Sequence, residues 1–221
     1  MILLGIETAT SACAAGLAGP GWLDVRVLDT QRRHGEHLMA GISTMLAEHG
    51  LVAREVQRVV VDRGPGLFTG LRVGVASAMA FAQAAGAELV SISSLEMLAH
   101  DAYARGRRGR LVAVLDARRH EVFTQAFELA DSVVALEAAR VQSPEALARE
   151  LALSPSVIIG DGALRYADQL GGALQIDEVL VPDLRAGLAL AETRPSEVHV
   201  SPLYLRDADA VANFSTRDAG R

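Results

Sequence analysis

The stretch Asp62–Ala85 constrains the fold most strongly, because it begins as a glycine loop and continues as an apolar helical pattern. Small residues recur at every fourth position: Gly66, Gly70, Gly74, Ala78 and Ala82. On a helix this spacing forms a stripe with almost no side chain, along which another backbone can approach closely. A glycine loop that enters a helix can also bind an anion through free N–H groups. The stretch therefore predicts either a phosphate-binding loop or a closely packed helix interface, with Thr69 as the N-cap of the helix.

The composition argues against several classes of function. All 21 basic residues are arginine, so the lysine of a P-loop and a Schiff-base lysine are both absent. The net charge of −6 argues against a stand-alone nucleic-acid-binding protein. Cys13 is the one cysteine, which fits a reducing cytoplasm, and no apolar run is long enough to span a bilayer. We therefore expect a cytoplasmic protein with no membrane segment.

The order of elements in the first half returns in the second half. Apolar runs predict three antiparallel strands at the start of the chain: Ile2–Glu7, Cys13–Ala18 and Leu23–Leu28. In each half the strands are followed by a helix, a strand, a glycine turn and a second helix, and Glu7 and Asp116 end matching strands. The arginine and glycine residues of 105–110 mark a linker, so we predict domains at residues 1–105 and 106–221. These arginines leave RNA contact open as a further alternative.

Seven motifs follow one another across nearly the whole chain: ETATSAC at Glu7–Cys13, RHGEHL at Arg33–Leu38, GPGLFTGLRVGVA at Gly64–Ala76, SSLEMLA at Ser93–Ala99, DARRHEV at Asp116–Val122, GDGA at Gly160–Ala163 and PLYLR at Pro202–Arg206. In series they resemble the TsaB (YeaZ) family, whose members are needed to make threonylcarbamoyladenosine at position 37 of tRNA. The resemblance implies an α/β fold of two RNase H-like halves in an actin-like ATPase (ASKHA) arrangement, with the second half reduced.

The resemblance also implies a binding role. The family binds a catalytic paralogue, TsaD, and the pair recruits the ATPase TsaE. Contact with tRNA is then expected only through the complex, and the isolated chain is expected to form a homodimer through the same apolar surface. The family's interface is a helical bundle from the first domain. The matching positions here predict partner contacts from Glu36, Met39, Ile42, Ser43, Leu46, Gly70, Arg72, Gly74, Ala78 and Ala82.

A nucleotide site is the competing prediction. Actin-like ATPases use carboxylates at strand ends and glycine loops, and the matching positions here are Glu7, Thr8, Ser11, Asp116, Gly160 and Gly162. The turns after Glu7 and Asp116 contain no glycine that would let backbone N–H groups wrap a phosphate, so we expect a vestigial site. An actin-like ATPase or small-molecule kinase that uses these two acids is the alternative function.

Metal and nucleophilic chemistry have little support in the sequence. The catalytic paralogue carries an HxxxH pair on a helix, and the matching positions here are Ser94 and Leu98, which are not metal ligands. No G-x-S-x-G nucleophile elbow occurs. We therefore predict no metal, no cofactor and no catalytic residue.

Overall fold

The computed structural model describes residues 1–29, 34–171 and 181–206, except the side chains of residues 29 and 34–36. The first half forms a sheet of five strands: β1 (Leu3–Glu7), β2 (Cys13–Gly19), β3 (Trp22–Asp29), β4 (Arg58–Asp62) and β5 (Glu88–Ile92). Their order is β3-β2-β1-β4-β5, in which β1, β2 and β3 are antiparallel and β1, β4 and β5 are parallel. The three predicted antiparallel strands are confirmed.

The second sheet repeats most of this plan. Its strands are β6 (Gly109–Arg118), β7 (Glu121–Leu129), β8 (Val133–Ala135), β9 (Arg140–Gln142) and β10 (Val157–Ile159). Both β8 and β9 pair antiparallel with β7, at its opposite ends, and so share one position in the sheet. β10 pairs parallel with β6, as β4 does with β1. Four of the five positions of the first sheet are therefore repeated within the described residues, which is the reduced second half that was predicted.

Helices cover both sheets: α1 (His34–Glu48), α2 (Phe68–Ala85), α3 (Ser94–Ala104), α4 (Pro144–Leu153), α5 (Asp161–Arg165), α6 (Ala167–Leu170) and α7 (Leu184–Ala191). The first sheet lies between α1 and α2 on one face and α7 on the other. All five residues of β1 are buried, as expected for a strand covered on both faces. Gly16 admits α7 closely, since a Cβ there would stand 2.8 Å from Leu188 Cδ1.

One helix from each half of the chain packs against the sheet of the other half. α3 follows β5 in sequence, yet Leu95, Leu98 and Ala102 pack into the core of the second sheet. α7 comes late in the chain, yet Leu188 and Ala191 pack against the first sheet. A domain division at residues 105 and 106 stays a prediction, because these helices cross it. No helix in the described ranges combines the length and the apolarity needed to cross a membrane.

A serine side chain caps α3 and α4, whereas α2 has no side-chain cap. Ser93 accepts a hydrogen bond from the amide of Glu96, and Ser143 caps α4, with Pro144 at its first position. The predicted N-cap of α2, Thr69, is instead an exposed residue of its first turn. Leu67 takes the N-cap position, where its side chain has no group that could accept a hydrogen bond, and its amide donates to the carbonyl oxygen of Ala9.

Candidate functional site

The small-residue stripe of α2 lies inside the chain. Its members Gly70, Gly74, Ala78 and Ala82 are all buried. A Cβ at Gly74 would stand 2.2 Å from Oγ1 of Thr8, and that hydroxyl donates a hydrogen bond to the carbonyl oxygen of Gly70 over 2.8 Å. The stripe therefore lets α2 approach the end of β1. This corrects the expected direction of the stripe, which was towards a helix of another chain.

The opposite side of the α1–α2 pair carries an apolar groove of about 790 Å³. Met39 on α1 is 44% exposed, and Val52 beyond the end of α1 is 48% exposed. The groove contains no charged side chain among its lining residues: Met39, Ile42, Ser43, Leu46, Ala47, Leu51, Val52, Ala53, Ala76, Ser77, Ala80, Phe81 and Ala84. An uncharged groove of this kind is typical of a protein-binding surface.

The predicted interface residues fall into three groups outside the buried stripe. Four of them line the groove: Met39, Ile42, Ser43 and Leu46. Arg72 is exposed on the first turns of α2, outside the groove, where its guanidinium lies over the ring of Phe68. The side chain of Glu36 lies outside the described residues.

Sequence reasoning missed the residues that α2 contributes to the groove. Ala76, Ala80 and Ala84 line it and repeat the same four-residue spacing as the buried stripe. The signal was present in the sequence, but α2 is apolar nearly all round, so two small-residue faces were available. Periodicity alone does not say which of these faces meets the chain's own sheet.

Two buried carboxyl groups lie side by side at the C-terminal ends of neighbouring strands in the first sheet. β1 and β4 are parallel, with Ile6 opposite Val61, so Glu7 and Asp62 follow at neighbouring strand ends. Glu7 is 3% exposed and Asp62 is 1% exposed. Sequence reasoning singled out Glu7 and missed Asp62, although both residues end apolar strand patterns.

Burial dominates the electrostatics of this pair. Burial and, to a smaller extent, the negative charge of Asp62 together raise the pKa of Glu7 to about 8, against the opposing hydrogen bonds from Thr10. Burial likewise raises the pKa of Asp62 to about 7, opposed by hydrogen bonds from Gly64 and Ser94. Two such acids side by side favour keeping a proton at neutral pH.

The glycine loop lies directly on the turn that follows β1. A Cβ at Gly66 would stand 2.2 Å from the carbonyl oxygen of Ala9, and the amide of Leu67 donates to that same oxygen over 2.7 Å. Ser11 is exposed, whereas the hydroxyl of Thr8 is bonded to α2. The loop therefore covers the turn that follows β1.

In the second half, Asp116 is bonded to its own surroundings. Its carboxylate, 4% exposed, accepts hydrogen bonds from the backbone amide and from Nη1 of Arg118, each over 2.9 Å. Nε of Arg165 lies 3.5 Å from Oδ2. The carboxylate of Asp161 accepts a hydrogen bond from the backbone amide of Asp116 over 2.9 Å. Asp116 thus lies two residues before the end of β6, with its carboxylate group paired with Arg118 and Arg165.

The two glycines of the predicted nucleotide turn serve close packing. A Cβ at Gly160 would stand 2.2 Å from the carbonyl oxygen of Val114, and a Cβ at Gly162 would stand 2.7 Å from the carbonyl carbon of Leu115. Both glycines bring α5 against β6. Within the described ranges, no three His, Cys, Asp or Glu side chains converge as a metal site would require; the expected absence of a metal stays a prediction.

Comparison with known proteins identifies relatives of this chain. The family model for TsaD, tRNA N6-adenosine threonylcarbamoyltransferase, matches residues 28–156. The protein of Escherichia coli K12 named tRNA threonylcarbamoyladenosine biosynthesis protein TsaB is 28% identical over 94% of this chain and 95% of its own length. An uncharacterized protein of Mycobacterium leprae is 34% identical over 95% of this chain, which spans 56% of that relative.

Two solved structures are also similar to this chain. A crystal structure from Pseudomonas aeruginosa, described as an uncharacterized protein with similarity to peptidase YEAZ, has a TM-score of 0.81 at 26% identity and covers 93% of this chain and 99% of its own. YeaZ from the same organism has a TM-score of 0.76 at 27% identity and covers 86% and 90%. These likenesses support the predicted α/β fold class with two actin-like halves. With the TsaD family model over more than half of it and TsaB relatives along nearly all of it, the chain belongs to the TsaB (YeaZ) family.

Proposed function

We propose that this chain is a non-catalytic subunit of the machinery that makes N6-threonylcarbamoyladenosine at position 37 of tRNA. In this proposal it binds the catalytic subunit TsaD, helps to recruit the ATPase TsaE, and meets tRNA only within the complex. Relatives named for threonylcarbamoyladenosine biosynthesis support the pathway. The single observation that carries the binding role is the uncharged groove between α1 and α2.

The groove suits a helix as its partner. Its floor on α2 is made of Ala76, Ala80 and Ala84, and larger side chains such as Met39 and Leu46 stand along α1. Small residues at four-residue spacing allow a second helix to come close, and the flanking larger side chains can then pack beside it. A paralogue built on the same domain would present a corresponding helix pair, so the two would meet about a pseudo-twofold axis.

The strand ends support a non-catalytic role. The space over the turn after Glu7 is taken by the loop at Gly66, and Asp116 is paired with Arg118. An ATPase or kinase would need both acids directed at Mg²⁺ and phosphate. The alternative is tested by titrating the chain with ATP and Mg²⁺: tight binding, with turnover that is lost in Glu7→Ala, would refute the proposal.

The binding role is tested by co-purification with TsaD. Ala80→Arg places a charge in the floor of the groove and should abolish the complex. Gln83→Arg is the matched control, because residue 83 is exposed on the same helix outside the groove. Circular dichroism should show equal folding of both variants, since both positions are exposed. A complex that survives Ala80→Arg would place the TsaD contact elsewhere.

A further inference from the structure

The first sheet ends at two edge strands, β5 and β3, and the described part of the chain covers only β5. There the amide of Glu197 donates to the carbonyl oxygen of Leu89 over 2.7 Å. The carboxylate of Glu197 accepts a hydrogen bond from the amide of Ser91 over 2.9 Å. At β3, no strand among the described residues pairs with the outer side. An edge strand of eight residues with open backbone groups can pair with a strand of another chain.

Every second residue of β3 directs its backbone N–H and C=O groups away from β2. Gly19 and Trp22 pair across the two-residue turn of the β2–β3 hairpin. Residues in that position are hydrogen-bonded to each other, and the direction of the backbone groups then alternates along the strand. The register stays regular from Trp22 to Val27. Leu23, Val25 and Val27 therefore direct their backbone groups to the open edge.

The side chains of this edge are apolar on the face of the sheet that carries α7. Val27 is 62% exposed and Leu23 is 49% exposed. Val25 lies between them and packs against the cluster that contains Leu188 of α7. Leu23 also lines a cleft of about 350 Å³ between the β2–β3 hairpin and α7. A strand added at this edge would cover both exposed side chains.

The opposite face of β3, which meets α1, carries one acid and one base. Asp24 accepts two hydrogen bonds from Arg26, over 3.0 and 2.6 Å. Arg26 also pairs with Glu48 at the end of α1. Both side chains are partly exposed, so a strand that pairs with β3 would place its own side chains beside them.

The order of these charges favours one register for pairing with an identical strand. With a twofold axis at Val25, Asp24 of each copy lies opposite Arg26 of the other, and Leu23 lies opposite Val27. An axis at Asp24 would oppose two carboxylates, and an axis at Arg26 would oppose two guanidinium groups. Opposite charges across a strand pair are stabilising and like charges are destabilising. The strand is therefore complementary to itself about Val25.

We propose that β3 pairs antiparallel with β3 of a second copy of this chain, about a twofold axis at Val25, so that two five-stranded sheets join into one. The pairing supplies about six main-chain hydrogen bonds, two at each pair of residues with open backbone groups. No lining residue of the groove between α1 and α2 belongs to β3, so the proposal does not depend on TsaD binding. One strand pair buries little surface, and we therefore expect a weak dimer that forms above about 100 µM.

The test is sedimentation velocity of the full chain between about 10 and 500 µM, with Ala80→Arg in every sample to prevent association through the groove. We expect a concentration-dependent dimer. Asp24→Arg and Arg26→Asp should each weaken it at least about tenfold, because two opposite-charge pairs become like-charge pairs. An equal mixture of these two variants should dimerise again, since each arginine of one then faces an acid of the other. Arg149→Asp makes the same change of charge on the exposed face of α4 and should leave the dimer unchanged.

A second pair of variants tests the backbone contact. Val27→Pro removes an amide that is directed away from β2, so the chain should stay folded and the dimer should be lost. Val27→Thr keeps the amide and the branched side chain, and should retain the dimer. Circular dichroism checks that each variant is folded.

Three results would each overturn the proposal: a monomer across the whole concentration range, a dimer that survives both charge reversals, or a mixture of the two charge variants that stays monomeric. Asp24→Arg and Arg26→Asp, made without Ala80→Arg, should still co-purify with TsaD. That measurement separates failure of the β3 pairing from failure of the groove.

Discussion

Gly74 on α2 lies so close to Thr8, just after β1, that a Cβ at residue 74 would stand 2.2 Å from Oγ1 of Thr8. The next nearest atoms to that Cβ would be 3.5 and 3.8 Å away, which are ordinary contacts. One hydroxyl oxygen therefore accounts for the requirement for glycine. That oxygen also donates to the carbonyl oxygen of Gly70, so a turn of α2 is attached to the end of β1.

Gly74→Ala should lower the free energy of unfolding by about 1–3 kcal/mol, the usual cost of overpacking a core, even though alanine favours a helix over glycine by about 1 kcal/mol. In a Thr8→Ala background the same substitution should cost little, because the clashing oxygen is gone. Urea unfolding of the four proteins of this double-mutant cycle measures the coupling. Equal costs in both backgrounds would mean that α2 does not depend on this contact.

Ser93→Ala and Thr69→Ala should behave differently, although both residues precede or begin a helix. Ser93 caps α3 through the amide of Glu96, so its loss should cost about 1 kcal/mol. Thr69 is exposed in the first turn of α2, where Leu67 is the N-cap, so its loss should change stability by less than about 0.5 kcal/mol. Thermal unfolding compares the two variants. A larger loss for Thr69→Ala would restore Thr69 as the cap.

Glu7→Gln should reduce the pH dependence of stability. Burial raises the pKa of Glu7 from 4.5 to about 8, so between these values the folded chain holds a proton that the unfolded chain releases. Stability therefore falls as pH rises through this window, by up to about 1.4 kcal/mol per pH unit for each retained proton. Urea unfolding at pH 5 and pH 8 should show a smaller fall in the variant. Asp131→Asn removes an exposed acid as the control, and should fall as the original chain does.

Ser94→Ala should destabilise the chain by about 1–3 kcal/mol, since it removes the hydroxyl that is hydrogen-bonded to the buried carboxyl group of Asp62. Oγ of Ser94 lies 2.8 Å from both oxygens of Asp62 and 3.0 Å from the carbonyl oxygen of Pro65. When Asp62 is ionised this hydroxyl donates to it, so we expect a greater loss at pH 8 than at pH 5. Unfolding measured at both pH values tests this, and a loss independent of pH would contradict it.

We expect the isolated chain to form a homodimer through the groove. Met39→Asp and Ala80→Arg should each convert this expected dimer to monomer, because both place a charge in the uncharged groove. Met39 lies on α1 and residue 80 on α2, so agreement between the two variants would indicate that both walls are used. Sedimentation velocity at micromolar concentration measures the state, with Gln83→Arg as the control. Dimers that persist in both variants would show that the groove is not the dimer interface.

The family resemblance anticipated part of the groove, because the positions of α1 that match the family's interface include Ile42 and Leu46, which line it. For α2 the same reasoning named Gly70 and Gly74, which are buried, and missed Ala76 and Ala80, which line the groove. When a helix has small residues on several faces, its sequence does not indicate which face packs against the rest of the chain.

Local pattern in the sequence by itself determined the order of strands and helices along the chain and the duplicated plan of the two halves. The tertiary structure alone decided that Glu7 and Asp62 lie side by side, and that α3 and α7 each pack on the other half's sheet. Helix and strand periods arise from neighbours within one turn or one pleat, so sequence records them. Strand order and the covered face of a helix arise from contacts between residues far apart in the chain, where many pairings share the same apolar pattern and only packing separates them.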